Sequence, residues 1–280
     1  MRLTTRSMIA GAAASLVCLF AVAGAANAGS GVDSDEGINL GDDGLSLRIF
    51  ELDDPNDDDN IGQVDGLIGD SKLVGIDFRV QDKQFYGVGN QGGIYTIDTK
   101  DADVIKVSQL TVALSGTQFG VDFNPAADRL RVISDNGQNL RHNVNPGGTT
   151  LTDGALNYVV GTPVNGLTAA GYTNNDLSAT TATTLFDIDT NLNQVAIQAP
   201  ANAGNLSATG LLSIDPTAVA GFDIQSKTKS GVTTSNTGYA VLRTSDTGRP
   251  VFYKVDLLTG ALSKVKTFDH QIADIAVQQR

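Results

Sequence analysis

The sequence predicts an all-β fold, a five-bladed β-propeller in which the two chain ends share one blade. Three observations lead there. Short apolar runs of period two follow one another, separated by Gly, Asn, Asp and Pro, as strands and tight turns require. After Gly29 no stretch keeps apolar residues at i, i+3, i+4 and i+7 for three helical turns. A six-residue motif recurs at a spacing of about 50 residues, room for four short strands and their turns.

The chain opens with the pattern of a secretory signal peptide over residues 1–28. Arg2 and Arg6 form a positive start, Met8 to Ala25 is uncharged and apolar or small, and Ala26-Asn27-Ala28 is an A-x-A cleavage site. Val17 stands before Cys18 where lipid attachment wants Gly or Ala. Cleavage after Ala28 predicts an exported protein, periplasmic or extracellular. No later segment approaches the ~20 apolar residues that span a bilayer. Residues 29–44 are expected to be a flexible lead-in, and 45–280 a single propeller domain.

The repeats come next. Leu73-Val74-Gly75-Ile76-Asp77-Phe78 recurs as Gln118-Phe119-Gly120-Val121-Asp122-Phe123 and as Val219-Ala220-Gly221-Phe222-Asp223-Ile224. Weaker copies are Leu167 to Tyr172, with Gly171 at the Asp position, and Gln271 to Ala276, with Asp274. The landmark positions 77, 122, 171, 223 and 274 are 45, 49, 52 and 51 residues apart. Each interval supplies one blade. The first continues through Phe85 to Val88, Ile94 to Asp98 and Val104 to Val107. The second continues through Leu130 to Ile133, Gln138 to Arg141 and Thr149 to Leu151. The third continues through Leu185 to Ile188, Gln194 to Gln198 and Leu206 to Leu211. The fourth continues through Tyr239 to Arg243, Val251 to Asp256 and Leu262 to Val265, with polar Gln225 to Thr237 expected as a long loop.

Closure follows from what is left over. Leu45 to Leu52 predicts a third strand, since Ile49 to Asp53 matches Ile94 to Asp98 at a spacing of 45, with Ile61 to Leu67 as a fourth. Ile272 to Val277 predicts a lone first strand. The chain start therefore supplies outer strands and the chain end the innermost one, which leaves no open ring edge.

Composition excludes several chemistries. Cys18, Met1 and Met8 are the only sulfur-bearing residues, there is no Trp, and all three sulfurs precede Gly29. A mature domain without Cys has no thiol nucleophile, thiolate ligand or disulfide. Without Arg2 and Arg6 the chain has 17 basic and 31 acidic residues, a net charge of −14. That disfavours nucleic acid and anionic membranes as partners. Neither a Walker loop nor a dinucleotide fingerprint is present, nor a G-x-S-x-G elbow.

The long second motif runs Phe119-Gly120-Val121-Asp122-Phe123-Asn124-Pro125, then Asp128-Arg129-Leu130-Arg131-Val132 and Ser134 to Arg141. With Leu73 to Arg79, Tyr172-Thr173-Asn174-Asn175 and Val219 to Ile224, it resembles the family called domain of unknown function 4394. The likeness spans about Leu45 to Val277. It implies an exported, propeller-like domain and carries over no catalytic residues.

Candidate site residues fall into two sets. Asp77, Asp122, Asp223 and Asp274 share one position of the innermost strand. Either they ring the axis and hold a cation, Ca²⁺ suiting an all-oxygen set, or each bonds backbone N–H groups of its own blade. Arg129, Arg131 and Arg141 gather three cations in one blade. They form either a ligand pocket for a carboxylate or ion pairs within the sheet. Asp53 to Asn60 reads as a solvated acidic loop, and His142 and His270 as surface or strand-end residues. The functional expectation is an exported binding or scaffold propeller for a small molecule, glycan or protein. The alternative is a Ca²⁺-dependent, lactonase-like hydrolase with the metal as Lewis acid.

Overall fold

The computed structural model describes residues 31–279; the expected signal peptide lies outside them. Twenty strands form among the described residues. β1 (Glu36–Gly41), β2 (Ser46–Glu51) and β3 (Asp58–Gln63) come first. The first complete blade is β4 (Leu73–Arg79), β5 (Gln84–Gly89), β6 (Gly93–Ile97) and β7 (Val104–Gln109). The second is β8 (Phe119–Asn124), β9 (Arg129–Ser134), β10 (Asn139–His142) and β11 (Thr150–Thr152). The third is β12 (Leu167–Tyr172), β13 (Leu185–Asp189), β14 (Gln194–Gln198) and β15 (Leu206–Leu211). The fourth is β16 (Pro216–Lys229), β17 (Val232–Thr244), β18 (Val251–Val255) and β19 (Leu262–Thr267). Last comes β20 (Ile272–Val277).

These strands make five four-stranded antiparallel sheets. Four follow chain order. The fifth has the order β20-β1-β2-β3, so the chain end pairs with the chain start, as expected. The innermost strands meet in a closed cycle, β4 with β8, β8 with β12, β12 with β16, β16 with β20 and β20 with β4. This is the predicted five-bladed propeller.

Five clusters of buried apolar side chains lie between the blades, one at each boundary. Ile76 and Phe78 face the fifth blade, Val121 and Phe123 the first, and Phe222 and Ile224 the third. Each fully buried Val, Leu, Ile or Phe contributes about 1.5–3 kcal/mol. A cysteine-free domain draws its stability from such boundaries. The Gly of the repeated motif lets the innermost strands approach. A Cβ on Gly120 would lie 2.6 Å from the Ala170 nitrogen, and one on Gly221 would lie 2.8 Å from the Asp274 Cα.

Three local expectations need correction. The supposed flexible lead-in contains β1, whose Ile38 and Leu40 are fully buried. The acidic stretch is not all loop: Asp58, Asp59 and Asn60 begin β3, so the outer strand lies three residues earlier than expected. It is an edge strand with little burial, and charge suits such an edge. Arg48 Nη1 on β2 bonds Asp58 Oδ1 at 2.9 Å and ties it down. Finally, Gln225 to Thr237 is no loop but the tip of a long hairpin joining β16 and β17. Ser230 and Gly231 at its turn have φ of +54° and +76°. Two consecutive positive φ values are what a tight two-residue hairpin turn needs.

Candidate functional site

The four repeated aspartates lie on the innermost strands and are buried. Carboxylate oxygens of Asp77, Asp122 and Asp223 come within 4.8 Å of one another. Three of the four aspartates named from the sequence therefore converge. Its hydrogen bonds, however, run mainly from blade to blade. Asp77 Oδ2 accepts the Phe123 N–H at 2.6 Å, and Asp122 Oδ1 accepts the Tyr172 N–H at 3.1 Å. Asp223 Oδ2 accepts the Val277 N–H at 2.6 Å, and Asp274 Oδ2 accepts the Ile76 N–H at 2.9 Å. The second oxygens of Asp223 and Asp274 also bond their own strands, at Ile224 and Ile275.

The cycle has one gap. The third blade has Gly171 at this position, and Asn175 spans the boundary instead. Asn175 Nδ2 donates to the Ile224 carbonyl at 2.9 Å, and its N–H donates to Ser226 Oγ at 2.8 Å.

Burial sets the protonation of the ring. It pushes Asp77 and Asp122 well above the usual carboxylate range, with repulsion from neighbouring ring carboxylates adding to it. Burial does the same to Asp274, against the pull of the Ile76 and Ile275 N–H groups. Asp223 is raised to about 6 by burial, opposed by the Val277 and Ile224 N–H groups. Like charges 4 Å apart repel by about 4 kcal/mol at an effective dielectric of 20. Three ionised carboxylates at this spacing would thus strain the axis, and protons or a cation relieve it. The three oxygens could serve as part of a Ca²⁺ shell, which takes six to eight oxygens at 2.3–2.6 Å.

The three arginines do not form one cationic pocket. Arg131 and Arg141 pair across β9 and β10 and share Asp153. Arg131 is 2 % exposed and also donates to Asn139, Asn202 and Tyr172. Arg141 closes on both Asp153 oxygens at 3.1 and 3.2 Å. These two cations hold the Asp153 carboxyl below its ordinary range despite burial. Arg129 turns back onto the Ala127 and Asp128 carbonyls. His142, expected at the surface or a strand end, is the last residue of β10 but is fully buried between Ser108 Oγ and Thr150 Oγ1, and burial lowers its pKa.

A polar pocket of about 310 Å³ lies elsewhere, on the fifth blade. Its wall is a cross-strand row, Asn39 on β1, Arg48 on β2 and Asn60 on β3. Ser46 and Gln63 form a second paired row beside it. The β1–β2 turn adds Asp42 and Asp43, and the β19–β20 connection adds His270 and Gln271. Asn39 is 1 % exposed, and its Nδ2 has no hydrogen-bond partner among the described residues. His270 Nε2 lies 3.4 Å from Asn39 Oδ1, and its Nδ1 lies 2.9 Å from Asp269 and 3.5 Å from Asp58. Arg243 reaches across from the fourth blade to both oxygens of Asp42. Sequence reasoning missed this site because three strands supply it, the first taken as flexible. The one available signal was Asn39 between buried Ile38 and Leu40.

Fold and contacts together define a five-bladed propeller whose innermost strands are clasped by buried carboxylates and whose terminal blade bears a polar pocket. The chain belongs to the family described as "Domain of unknown function (DUF4394)", whose family model matches residues 46–276. No curated protein matches it in sequence. Among solved structures it is similar to a structural genomics protein of unknown function from Bacteroides thetaiotaomicron. That pair has 15% identity and a TM-score of 0.53, over 91% of this chain and 63% of the other. It is also similar to an auxiliary nutrient binding protein from Bacteroides ovatus, with 11% identity and a TM-score of 0.44, over 83% of this chain and 58% of the other. A putative 6-phosphogluconolactonase from Bacteroides fragilis gives 12% identity and a TM-score of 0.41, over 87% and 98%. This chain thus spans less than two thirds of the first two proteins. At 15% identity the likeness to the first of these shows the fold alone.

Proposed function

We propose that the protein is an exported binding propeller without catalysis of its own. The observation that carries this is the fifth-blade pocket. It gathers donors and acceptors from four chain segments around a buried amide with unspent bonding capacity. Small-molecule sites are concavities of about 300–1,000 Å³ with a few convergent polar groups. The other candidate groups support the same reading, since the arginines are committed to carboxylates or carbonyls and the ring aspartates to backbone amides. Export rests on the signal-type sequence of residues 1–28.

A Ca²⁺-dependent hydrolase is the second reading, favoured by the three axial carboxylates within 4.8 Å of one another. One experiment separates the two. The purified protein, freed of metal by chelation, is titrated with Ca²⁺ by calorimetry and then assayed on lactone and ester panels. A thermal-shift screen of sugars, amino acids and short peptides runs alongside. Binding of a panel compound without turnover is expected. Turnover that Ca²⁺ restores after chelation would establish the hydrolase instead.

A further inference from the structure

We propose that the fifth-blade pocket takes a neutral sugar of one or two rings, an inference that rests on the binding role above. The first argument is positional. In the other blades, the partner of the residue just after the landmark position is Phe85, Leu130, Leu185 or Gly238. In the fifth blade it is Asn39, opposite Ile275. A polar side chain thus replaces core-forming or small ones where the blade would otherwise pack. Burying an amide donor without a partner costs about 1–3 kcal/mol. A ligand that completes its bonding removes that cost.

The second argument is charge. Arg48 is matched by Asp58, and Arg243 by Asp42. Asp43 accepts from Ser46 and from the Leu45 and Ser46 N–H groups. Among the described residues no unmatched cation lines the pocket to hold an anion, and its carboxylates would repel one. Cationic ligands meet Arg48 on the wall. What remains is a mixture of donors and acceptors in fixed places: the Asn39 amide, the remaining Arg48 N–H groups, and the exposed Asn60 and Gln63 amides. A hydroxyl both donates and accepts, so it satisfies the Asn39 amide in either orientation. A ring bearing several hydroxyls matches the cross-strand row, and 310 Å³ lies at the lower end of the range for small-ligand sites.

The test uses the purified protein and calorimetry. Probes are D-glucose, D-galactose, D-mannose, D-xylose, maltose and cellobiose, with glucuronate and glucosamine as charged counterparts. At least one neutral sugar should bind, and its charged counterparts should bind at least about tenfold more weakly. Asn60→Ala and Gln63→Ala sit on an exposed edge strand and should leave the fold intact. Each should weaken that sugar about tenfold, the equivalent of one hydrogen bond. Lys100→Ala, in the first blade, should not. Asn39→Ala should abolish binding. No binding by any neutral sugar, or binding that ignores Asn60 and Gln63, overturns the assignment. If a charged probe, an amino acid or a divalent ion binds and responds to Asn60→Ala, the sugar falls while the binding role stands. Turnover on the lactone or ester panel removes the binding role itself.

Discussion

Asp274 Oδ2 accepts the Ile76 backbone N–H at 2.9 Å, across 198 residues of sequence. The bond joins the last strand of the chain to the first strand of the first complete blade. It is one link of a cycle in which a buried carboxyl on one innermost strand holds an amide on the next. The ring is therefore closed twice, by sheet pairing of β20 with β1 and by this bond from β20 to β4. Each device acts on a different neighbour of β20.

Removing the carboxyl should weaken the closure. Asp274→Ala strips partners from two buried N–H groups, those of Ile76 and Ile275. An unsatisfied buried donor costs about 1–3 kcal/mol. Relief of the buried carboxyl offsets part of that, so a net loss of about 2 kcal/mol is expected. Urea unfolding gives the value, and an unchanged midpoint would show that the clasp is ornamental. Asp274→Asn keeps an acceptor and should recover part of the loss.

The boundary without an aspartate makes a second case. Where Gly171 interrupts the cycle, Asn175 bonds Ile224 and Ser226 of the fourth blade. Asn175→Ala should cost about 1–3 kcal/mol. Gly171→Asp should not repair the cycle. A Cβ there already lies 3.1 Å from Ile224 Cγ1 and from Phe222 Cε1, and the added carboxyl would join a crowded acidic axis. Loss of stability is expected for both variants by thermal unfolding; a gain for Gly171→Asp would contradict the crowding.

Stability should fall as pH rises from about 4 to above 6. Burial raises Asp223 to about 6, whereas an unfolded Asp titrates near 4. The folded state therefore holds the extra proton in that window. This contribution is complete below about pH 4 and is lost as pH climbs through 6. It amounts to on the order of 1 kcal/mol for every tenfold gain in proton affinity on folding. Asp77, Asp122 and Asp274 are raised in the same way and extend the decline upward. Asp153 is displaced the opposite way, so its contribution is lost only at lower pH. Melting temperatures from pH 4.5 to 8 should show the fall, and Asp223→Asn should flatten it. A melting temperature that rises over this range would refute the protonated ring.

The parts legible in the sequence are those where packing restricts the residue. Gly before Asp on an innermost strand is set by the close approach of the next strand, and so the repeat could be counted. Strands exposed on both faces carry no such restriction. For that reason the start of β3, Asp58 to Asn60, looked like an acidic loop, and the β16–β17 extension, rich in Ser, Thr and Lys, looked like a connection. The ring position of Asp77, Asp122, Asp223 and Asp274 was readable, but the bond direction was not, because it depends on the stagger between blades. The pocket was least legible: Asn39, Arg48 and Asn60 become neighbours only once three strands pair. Nothing in their spacing marks a motif.

Asp187 supplies the last expectation. It lies on β13, is fully buried, and neither oxygen has a hydrogen-bond partner among the described residues. Burial raises its pKa well above the usual range, although the positive charge of Arg131 works against that. Arg131 already has Asp153 at 2.7 Å, so its charge is answered without Asp187. In the register of the blades the same position is Gly87 in the first, Val132 in the second and Ala240 in the fourth. Val is close to Asp in size and fits the apolar neighbours Ala170 and Ala196, which pair with it on either side. Replacing an unpaired polar group by an apolar one of similar shape removes a desolvation cost of about 1–3 kcal/mol. Asp187→Val should therefore stabilise the fold by about 1 kcal/mol at pH 7 after loss of the attraction to Arg131. It should gain less at pH 4, where the carboxyl holds its proton in both folded and unfolded chains more of the time. Chemical unfolding at the two pH values measures both. Destabilisation at pH 7 would mean that Asp187 answers the charge of Arg131 after all, and that the second and third blades are joined by a buried ion network rather than by apolar contact.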